Sequence, residues 1–234
     1  MSVDNSKISI VIPVLNEEAY IGKLISYIKK NSSNKNIKEI IVVDGGSCDT
    51  TATIAENLGA TVLHSQKGRA KQMNTGARAA QGDILYFLHV DTFPPKRFET
   101  SILTAVKNGS EAGCFQMQFD SNSRFLRFFA WFSRINHRLC RGGDQSLFVT
   151  KTIFSKTHGF NESYLIYEDN EFIGRLYQNT RFKILPQKVK TSARKYEEKG
   201  MLRLQYHFGI IHLKNYFGAG PEQLHEYYRR KIAL

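Results

Sequence analysis

The 234 residues carry 33 Lys and Arg against 21 Asp and Glu, a formal net charge of +12, and 41% of positions are hydrophobic. Length and hydrophobic content allow a sizeable core, while no apolar run reaches the roughly 18 residues of a membrane span. Three widely separated cysteines, Cys48, Cys114 and Cys140, exclude a disulfide framework and point to reducing cytosol. No Pro/Gly/Ser-rich linker, repeat or low-complexity block divides the chain, which predicts one domain with two functional halves. The charge separates those halves. Residues 1–123 hold 13 basic against 12 acidic side chains, whereas residues 124–234 hold 20 against 9. The second half therefore attracts something anionic: nucleic acid, a phospholipid surface or a phosphorylated substrate. A merely solubilising surface is the plainer alternative.

The β-rich run Ile8 to Leu15 reads as a first strand ending in the polar corner Asn16-Glu17-Glu18, and Ile21, Leu24, Ile25 and Ile28 follow at helical spacing. Its Pro13, and the lack of a basic leader or small-residue cleavage site, favour reading it as a strand rather than a signal peptide. A second strand, Glu39 to Val43, runs into Asp44-Gly45-Gly46-Ser47-Cys48-Asp49, where two glycines allow a sharp turn and close approach to a ligand. Asp44 is equally readable as a plain turn residue. A third strand, Thr61 to His64, precedes a helix opened by Gly68-Arg69-Ala70-Lys71, whose basic side chains and free amides suggest an anion site.

Next comes the most informative stretch, Gly82 to Thr92, a buried apolar strand that stops at His89-Val90-Asp91-Thr92. Ligands of open α/β sheets gather beyond such carboxyl ends, and Asp91 with His89 can offer a divalent cation oxygen and nitrogen. Residues 1–92 thus alternate β-α-β-α-β-α-β, which predicts a parallel sheet.

A helix from about Lys96 and a strand from Cys114 to Phe119 follow. The segment Arg124 to Arg141 sets Phe125, Phe128, Phe129, Phe132 and Ile135 on one helical face, with five arginines and no acid. It reads either as an interfacial helix or as a helix packing its aromatic face on the sheet. After Gly142-Gly143-Asp144-Gln145, the pattern predicts a short strand to Thr150, a helix stopping before Gly159, and a helix whose first residues include Glu168, Asp169 and Glu171. Acids there complement the helix dipole whether or not they do chemistry. A strand from Phe182 to Leu185 and an extended Lys188 to Ser192 lead into a basic tail rich in Tyr, Phe and His.

Taken together, Val11 to Glu18, Val42 to Asp49, Gly68 to Gly76, Gly82 to Thr92 and Gly159 to Glu162 with Glu168-Asp169 resemble GT-A fold glycosyltransferases of family 2 across nearly the whole chain. His89 to Thr92, Gly142 to Gln145 and Ser192 to Tyr196 further resemble a bacterial subgroup known for its association with radical-SAM and selenium-related domains. The resemblance implies a single-domain α/β fold of GT-A (Rossmann-like) type, its sheet mixed but mainly parallel and flanked by helices. By that resemblance residues 1–92 would bind a nucleotide-sugar, UDP-linked, and 93–234 the acceptor. It implies that Pro13, Asn16 and Glu17 border the nucleotide, Asp44 binds uracil or ribose, and Arg69 and Asn74 sit near base or diphosphate. Asp91 matches the last acid of the metal-binding Asp-x-Asp, for Mg²⁺ or Mn²⁺, and His89 replaces the first. Asp169 matches the base of inverting members, with Glu168 beside it.

Missing Gln-x-x-Arg-Trp argues against a processive polysaccharide synthase. A nucleotidyltransferase would need an early Gly-rich loop with a basic residue, which residues 13–20 lack. A basic nucleic-acid-binding module would not require carboxylates at successive strand ends. The expectation is a cytoplasmic enzyme, with no nucleic-acid partner, acting on an anionic or lipid-linked acceptor and touching the inner membrane face through Phe125 to Arg141 or the tail.

Overall fold

The computed structural model describes residues 5–233. Strands β1 (Ile8–Val14), β2 (Ile37–Asp44), β3 (Thr61–His64) and β4 (Ile84–Phe87) are joined through helices α1 (Glu18–Asn31), α2 (Thr51–Asn57) and α3 (Arg69–Ala79). These strands pair in parallel in the order β3-β2-β1-β4, as the sequence alternation predicts. Side chains along β1 show why the sheet is covered twice. Ile8, Ile10 and Ile12 pack with Ile21, Leu24 and Ile25 of α1, while Val11 packs with Ala70, Met73 and Ala77 of α3. A strand buried on both faces cannot alternate polar and apolar residues, and β1 reads as a continuous hydrophobic run. Helix α3 approaches β1 so closely that a Cβ on Gly76 would collide with Val11.

The second half supplies β5 (Thr92–Phe93), α4 (Phe98–Lys107), β6 (Ala112–Phe119), α5 (Arg124–Trp131), β7 (Leu147–Thr150), α6 (Lys151–Lys156), α7 (Glu168–Asn179) and β8 (Phe182–Thr191). It ends in helices α8 (Arg194–Lys199), α9 (Met201–Tyr216) and α10 (Pro221–Tyr228). The sheet continues past β4 as β7-β6-β8-β5, with β7 antiparallel to both neighbours and β8 parallel to β6. A third apolar cluster sits under the tail, joining Leu126 of α5 to Leu204 and Ile211 of α9 and Leu224 of α10.

Several expectations are corrected. The two extended pieces around Pro186 are one strand, β8, interrupted by a register shift opposite Phe115 and Gln116. The Phe/Arg segment is not one helix. Helix α5 ends at Trp131, and short 3-10 turns occupy Phe132–Arg134 and Arg138–Cys140. The cause is Arg141, whose buried guanidinium donates to the carbonyls of Ser133 and Ile135, which a continuing helix would use for itself. The buried side of this segment is Leu126, Ala130 and Ser133, and Phe128 and Trp131 face outward. The predicted aromatic face is divided: Phe128 and Ile135 are exposed, whereas Phe125 packs against the cluster under the tail and Phe129 and Phe132 line a cleft.

Beyond the hydrogen bond from Leu88 N–H to Val11 C=O, β1 and β4 part, and residues 88–91 leave the sheet. The crevice between diverging parallel strands is thus built at His89 to Asp91.

Candidate functional site

The corner after β1 is tied to the loop after β2. Asn16, held at a φ of 54°, donates its backbone N–H to Ser47 Oγ at 2.8 Å, and its side-chain oxygen accepts from Cys48 N–H at 2.8 Å. Asp44 is buried and accepts from both the backbone N–H and the hydroxyl of Ser47, with His64 Nδ1 at 3.5 Å. Asp44 therefore fastens its own turn. Pro13 lies past the last β1–β4 pair, Val11–Phe87, where the crevice opens.

Glu17 reaches across the molecule. Its carboxylate accepts from Arg194 at 3.0 and 3.2 Å, and the same guanidinium lies 3.8 Å from Asp91 and 4.5 Å above the Tyr20 ring. A tail cation is thus shared by the polar corner of β1 and the acid that ends the β4 run. The Arg194 guanidinium is raised: partial burial opposes its charge, but the Glu17 bond and the two carboxylates outweigh that cost.

Two further pairs face each other at the start of α7. Arg69 Nε lies 2.7 Å from Glu168 Oε1, and His89 Nε2 lies 3.4 Å from Asp169 Oδ2. Acids are favoured at a helix N-terminus by its dipole, and here the preceding Tyr167 holds a φ of 70°, uncommon for a bulky residue. The neighbouring carboxylates are tuned oppositely. Burial raises the Glu168 carboxyl, because Arg69 only partly offsets it; both oxygens are solvent-excluded and lack an aligned hydrogen-bond donor despite the short ion contact. Burial also acts to raise Asp169, but the His89 bond and charge outweigh it and hold the group below the usual carboxylate range. His89 is correspondingly raised against its own burial.

Gly143 explains how closely this pair is covered. A Cβ there would overlap Asp169 Oδ2 and His89 Nε2, so only glycine lets the 142–145 turn pass over them. That turn is fixed from behind by Arg141, which donates to Gln145 Oε1 at 2.5 Å and contacts Cys114 Sγ at 3.2 Å.

These groups border a cleft of about 510 Å³. One end is polar, with Arg69, Asp91, Asp144, Glu168, Asp169 and Lys195; the other is apolar and aromatic, with Phe129, Phe132, Leu139, Ile166, Phe208 and Ile211. Tyr167 OH meets His212 Nδ1 at 2.8 Å and joins α7 to the α9 wall.

The structure thus brings Glu17, Arg69, His89, Asp91, Glu168 and Asp169 to one rim. It does not bring Asn74 there. The Asn74 amide is buried and spends its groups on Phe160 and Glu162, holding the Gly159–Phe160 turn against α3. Nor do the basic residues of the first α3 turn stand free, since Lys71 donates to Gln66 while Arg69 pairs with Glu168. The residues that sequence reasoning left without a role are Arg194, Gly143 and Arg141. Only Arg194 and Gly143 carried a signal, as members of motifs whose purpose was not visible.

Among the described residues, no group of three or more His, Cys, Asp or Glu could hold a metal ion. Asp91 offers a hard oxygen ligand open to the cleft, and the Asp144 carboxylate lines the same cleft close enough to feel its charge. That fits a divalent ion held largely by phosphate oxygens, the habit of Mg²⁺, better than a self-contained metal site.

Comparison with known proteins agrees with this geometry. Glucosyl-3-phosphoglycerate synthase of Petrotoga mobilis is 33% identical over 127 residues, covering 49% of this chain and 39% of that protein. Dolichol-phosphate mannosyltransferase of Pyrococcus furiosus is 31% identical over 111 residues, covering 45% and 31%. The chain thus spans well under half the length of these curated relatives. Among solved structures, a mannosyltransferase from Pyrobaculum calidifontis in complex with GDP-Man and Mn²⁺ superposes with a TM-score of 0.69 at 16% identity, covering 96% of this chain and 70% of that one. TarS of S. aureus in complex with UDP-GlcNAc gives 0.68 at 21%, covering 80% and 58%. Residues 9–167 match the profile described as Glycosyl transferase family 2. With more than half its length matched, and with carboxylates gathered at the strand ends of a mainly parallel sheet, the chain belongs to glycosyl transferase family 2.

Proposed function

We propose that this enzyme moves one sugar from a nucleotide-sugar, UDP-linked in the first instance, to an acceptor hydroxyl in the cleft, with inversion at the anomeric carbon. The observation that carries the reading is the meeting of Asp91, from the end of the β4 run, with Glu168 and Asp169, from the start of α7, at one cleft rim.

In this reading residues 1–92 hold the donor and 93–234 the acceptor. Pro13, Asn16, Glu17 and Asp44 shape the nucleotide side. Arg69, steadied by Glu168, turns its remaining N–H groups to the diphosphate. Asp91 and the donor phosphates would hold Mg²⁺ or Mn²⁺, which stabilises the negative charge left on the departing diphosphate. The acceptor hydroxyl attacks the anomeric carbon, the bond to the diphosphate oxygen breaks with its electron pair, and Asp169 takes the hydroxyl proton. A single displacement inverts the centre, so one base suffices and no covalent nucleophile is needed. Gly143 and His89 hold Asp169 in place. His89 is committed to Asp169 where many relatives would carry a metal-ligating acid, which supports weak metal affinity without the donor. The motifs from His89 to Thr92, Gly142 to Gln145 and Ser192 to Tyr196 support membership of the radical-SAM/selenodomain-associated subgroup. The apolar end of the cleft supports an acceptor with an apolar, lipid-like portion.

The test begins with a thermal-shift panel of nucleotides and nucleotide-sugars with and without Mn²⁺, because a ligand that binds only the folded state raises its melting temperature. Asp91→Asn should then abolish transfer, and Asp169→Asn should lower turnover by about 10²–10⁴-fold while sparing donor binding. Full activity in Asp169→Asn would remove the base assignment, and a flat panel would remove the donor.

A further inference from the structure

Helix α9 carries an apolar stripe that nothing in the fold covers. Leu202, Tyr206, Leu213 and Tyr216 recur at helical spacing on one side and are all exposed, Leu202 by 73%, and Phe217 just beyond is 81% exposed. The opposite side is where Leu204 and Ile211 enter the core. Helix α5 repeats the arrangement, with Leu126 and Ala130 buried while Phe128 and Trp131 are 59% and 50% exposed. The two elements adjoin: Ser123, which caps α5, donates its hydroxyl to Met201 Sδ at the start of α9, and both helices bury their inner sides in one cluster. Between them opens the apolar end of the cleft, lined by Phe129 and Phe132 from one side and Phe208 and Gly209 from the other.

Charge says what covers this face. Residues 124–141 and 199–220 contain eight Lys and Arg and not one Asp or Glu. Apart from buried Arg141 and half-buried Lys199, these cations, Arg124, Arg127, Arg134, Arg138, Arg203 and Lys214, are exposed. A second copy of the chain would set the same cations against themselves across a two-fold interface, which is costly. Apolar side chains, Tyr and Trp ringed by Arg and Lys are instead the composition that settles into the headgroup region of an anionic bilayer.

We propose that α5 and α9 together form a docking face for an anionic lipid membrane, and that the apolar end of the cleft opens onto that surface. Docking stands on the exposed stripes and the charge alone. Only its use, delivery of the acceptor's apolar portion into the cleft from the membrane, rests on the reading above.

Trp131 is the single tryptophan and lies on the proposed face, so its fluorescence reports docking directly. Phosphatidylcholine vesicles containing phosphatidylglycerol should blue-shift its emission and carry the full chain in flotation; phosphatidylcholine alone should do neither. Replacing Arg127 and Arg134 by Gln should weaken binding about 30-fold at low salt, at about 1 kcal/mol per basic group. Leu202→Ser with Leu213→Ser should also release the protein, with its melting temperature and nucleotide-induced thermal shift unchanged. Equal affinity for neutral and anionic vesicles, flotation without a change at Trp131, or binding that survives both sets of substitutions would overturn the proposal. So would a dimer in light scattering that the α9 substitutions dissociate. Docking with no response to any nucleotide-sugar would leave the membrane face standing and sink the transfer reading instead.

Discussion

At the polar end of the cleft, Arg69, His89 and Arg194 each meet a carboxylate within 4 Å, and Gly143 closes over one of these pairs. On the outer sides of α5 and α9, Phe128, Trp131, Leu202 and Tyr206 meet no such cover and are mostly exposed. The first region is organised before any ligand arrives, so its dipoles need no rearrangement when charge develops during reaction. The second is left for a surface outside the chain to complete. Substitutions should therefore change turnover and stability at one end and leave both nearly untouched at the other.

The sharpest way to break this contrast is Gly143→Ala, whose added methyl overlaps the His89–Asp169 pair. Transfer should fall by at least about 100-fold and folding stability by about 1–3 kcal/mol, as for other overpacked sites. Steady-state kinetics and chemical denaturation would show it, and near-normal turnover would mean that the pair need not be held so closely.

Arg194→Ala comes next. It removes the cation that Glu17 and Asp91 share, but Arg194 is 37% exposed, so solvent screening limits the stability loss to about 0.5–1 kcal/mol. Nucleotide-sugar affinity by calorimetry should weaken about tenfold, roughly 1.4 kcal/mol. Unchanged affinity would reduce Arg194 to a tether.

Glu168→Gln separates function from stability at one residue. The folded-state carboxyl is raised by burial, so its ionised form costs stability above that folded value, and the cost disappears as pH falls through it towards the unfolded value. At neutral pH the amide variant should equal or exceed the wild type in stability, converging on it in acid, while donor affinity drops as Arg69 loses its anchor. Melting curves across pH would check this, and a variant less stable at neutral pH would contradict it. The smallest effect belongs to Phe128→Ser, within about 0.5 kcal/mol of wild type in urea denaturation because the ring is mostly exposed and meets only the edges of Phe129 and Phe132.

Much of the parallel half was legible because its signal is local. Ile8 to Val14 and Ile84 to Phe87 are buried on both faces and read as unbroken apolar runs. In the other half the decisive contacts follow no helical or strand period. Nothing near Phe132 announces that Arg141 will take the carbonyls of Ser133 and Ile135, and nothing near Pro186 shows that β8 resumes beyond it against β6. Within the site, Asp91 stood out by residue type and its place at a strand end, whereas Glu168 and Asp169 were singled out only by the family resemblance, since acids at a helix start serve the dipole equally well. Their partners did not stand out, because pairings such as Glu17 with Arg194 are set by how the tail returns to the sheet. Asn74, named through the resemblance, has partners equally invisible in the sequence: its amide holds Phe160 and Glu162.

The Glu17–Arg194 contact joins residues 177 positions apart. The rim therefore closes on a residue that is made late in synthesis. The parallel strands can pair as they leave the ribosome, yet Asp91 acquires its cation only after Arg194 has emerged and the tail has swung back. Chain ends falling short of residue 194 should accumulate as folded sheets with an unfinished rim, whereas a tag placed after α10 leaves that closure intact.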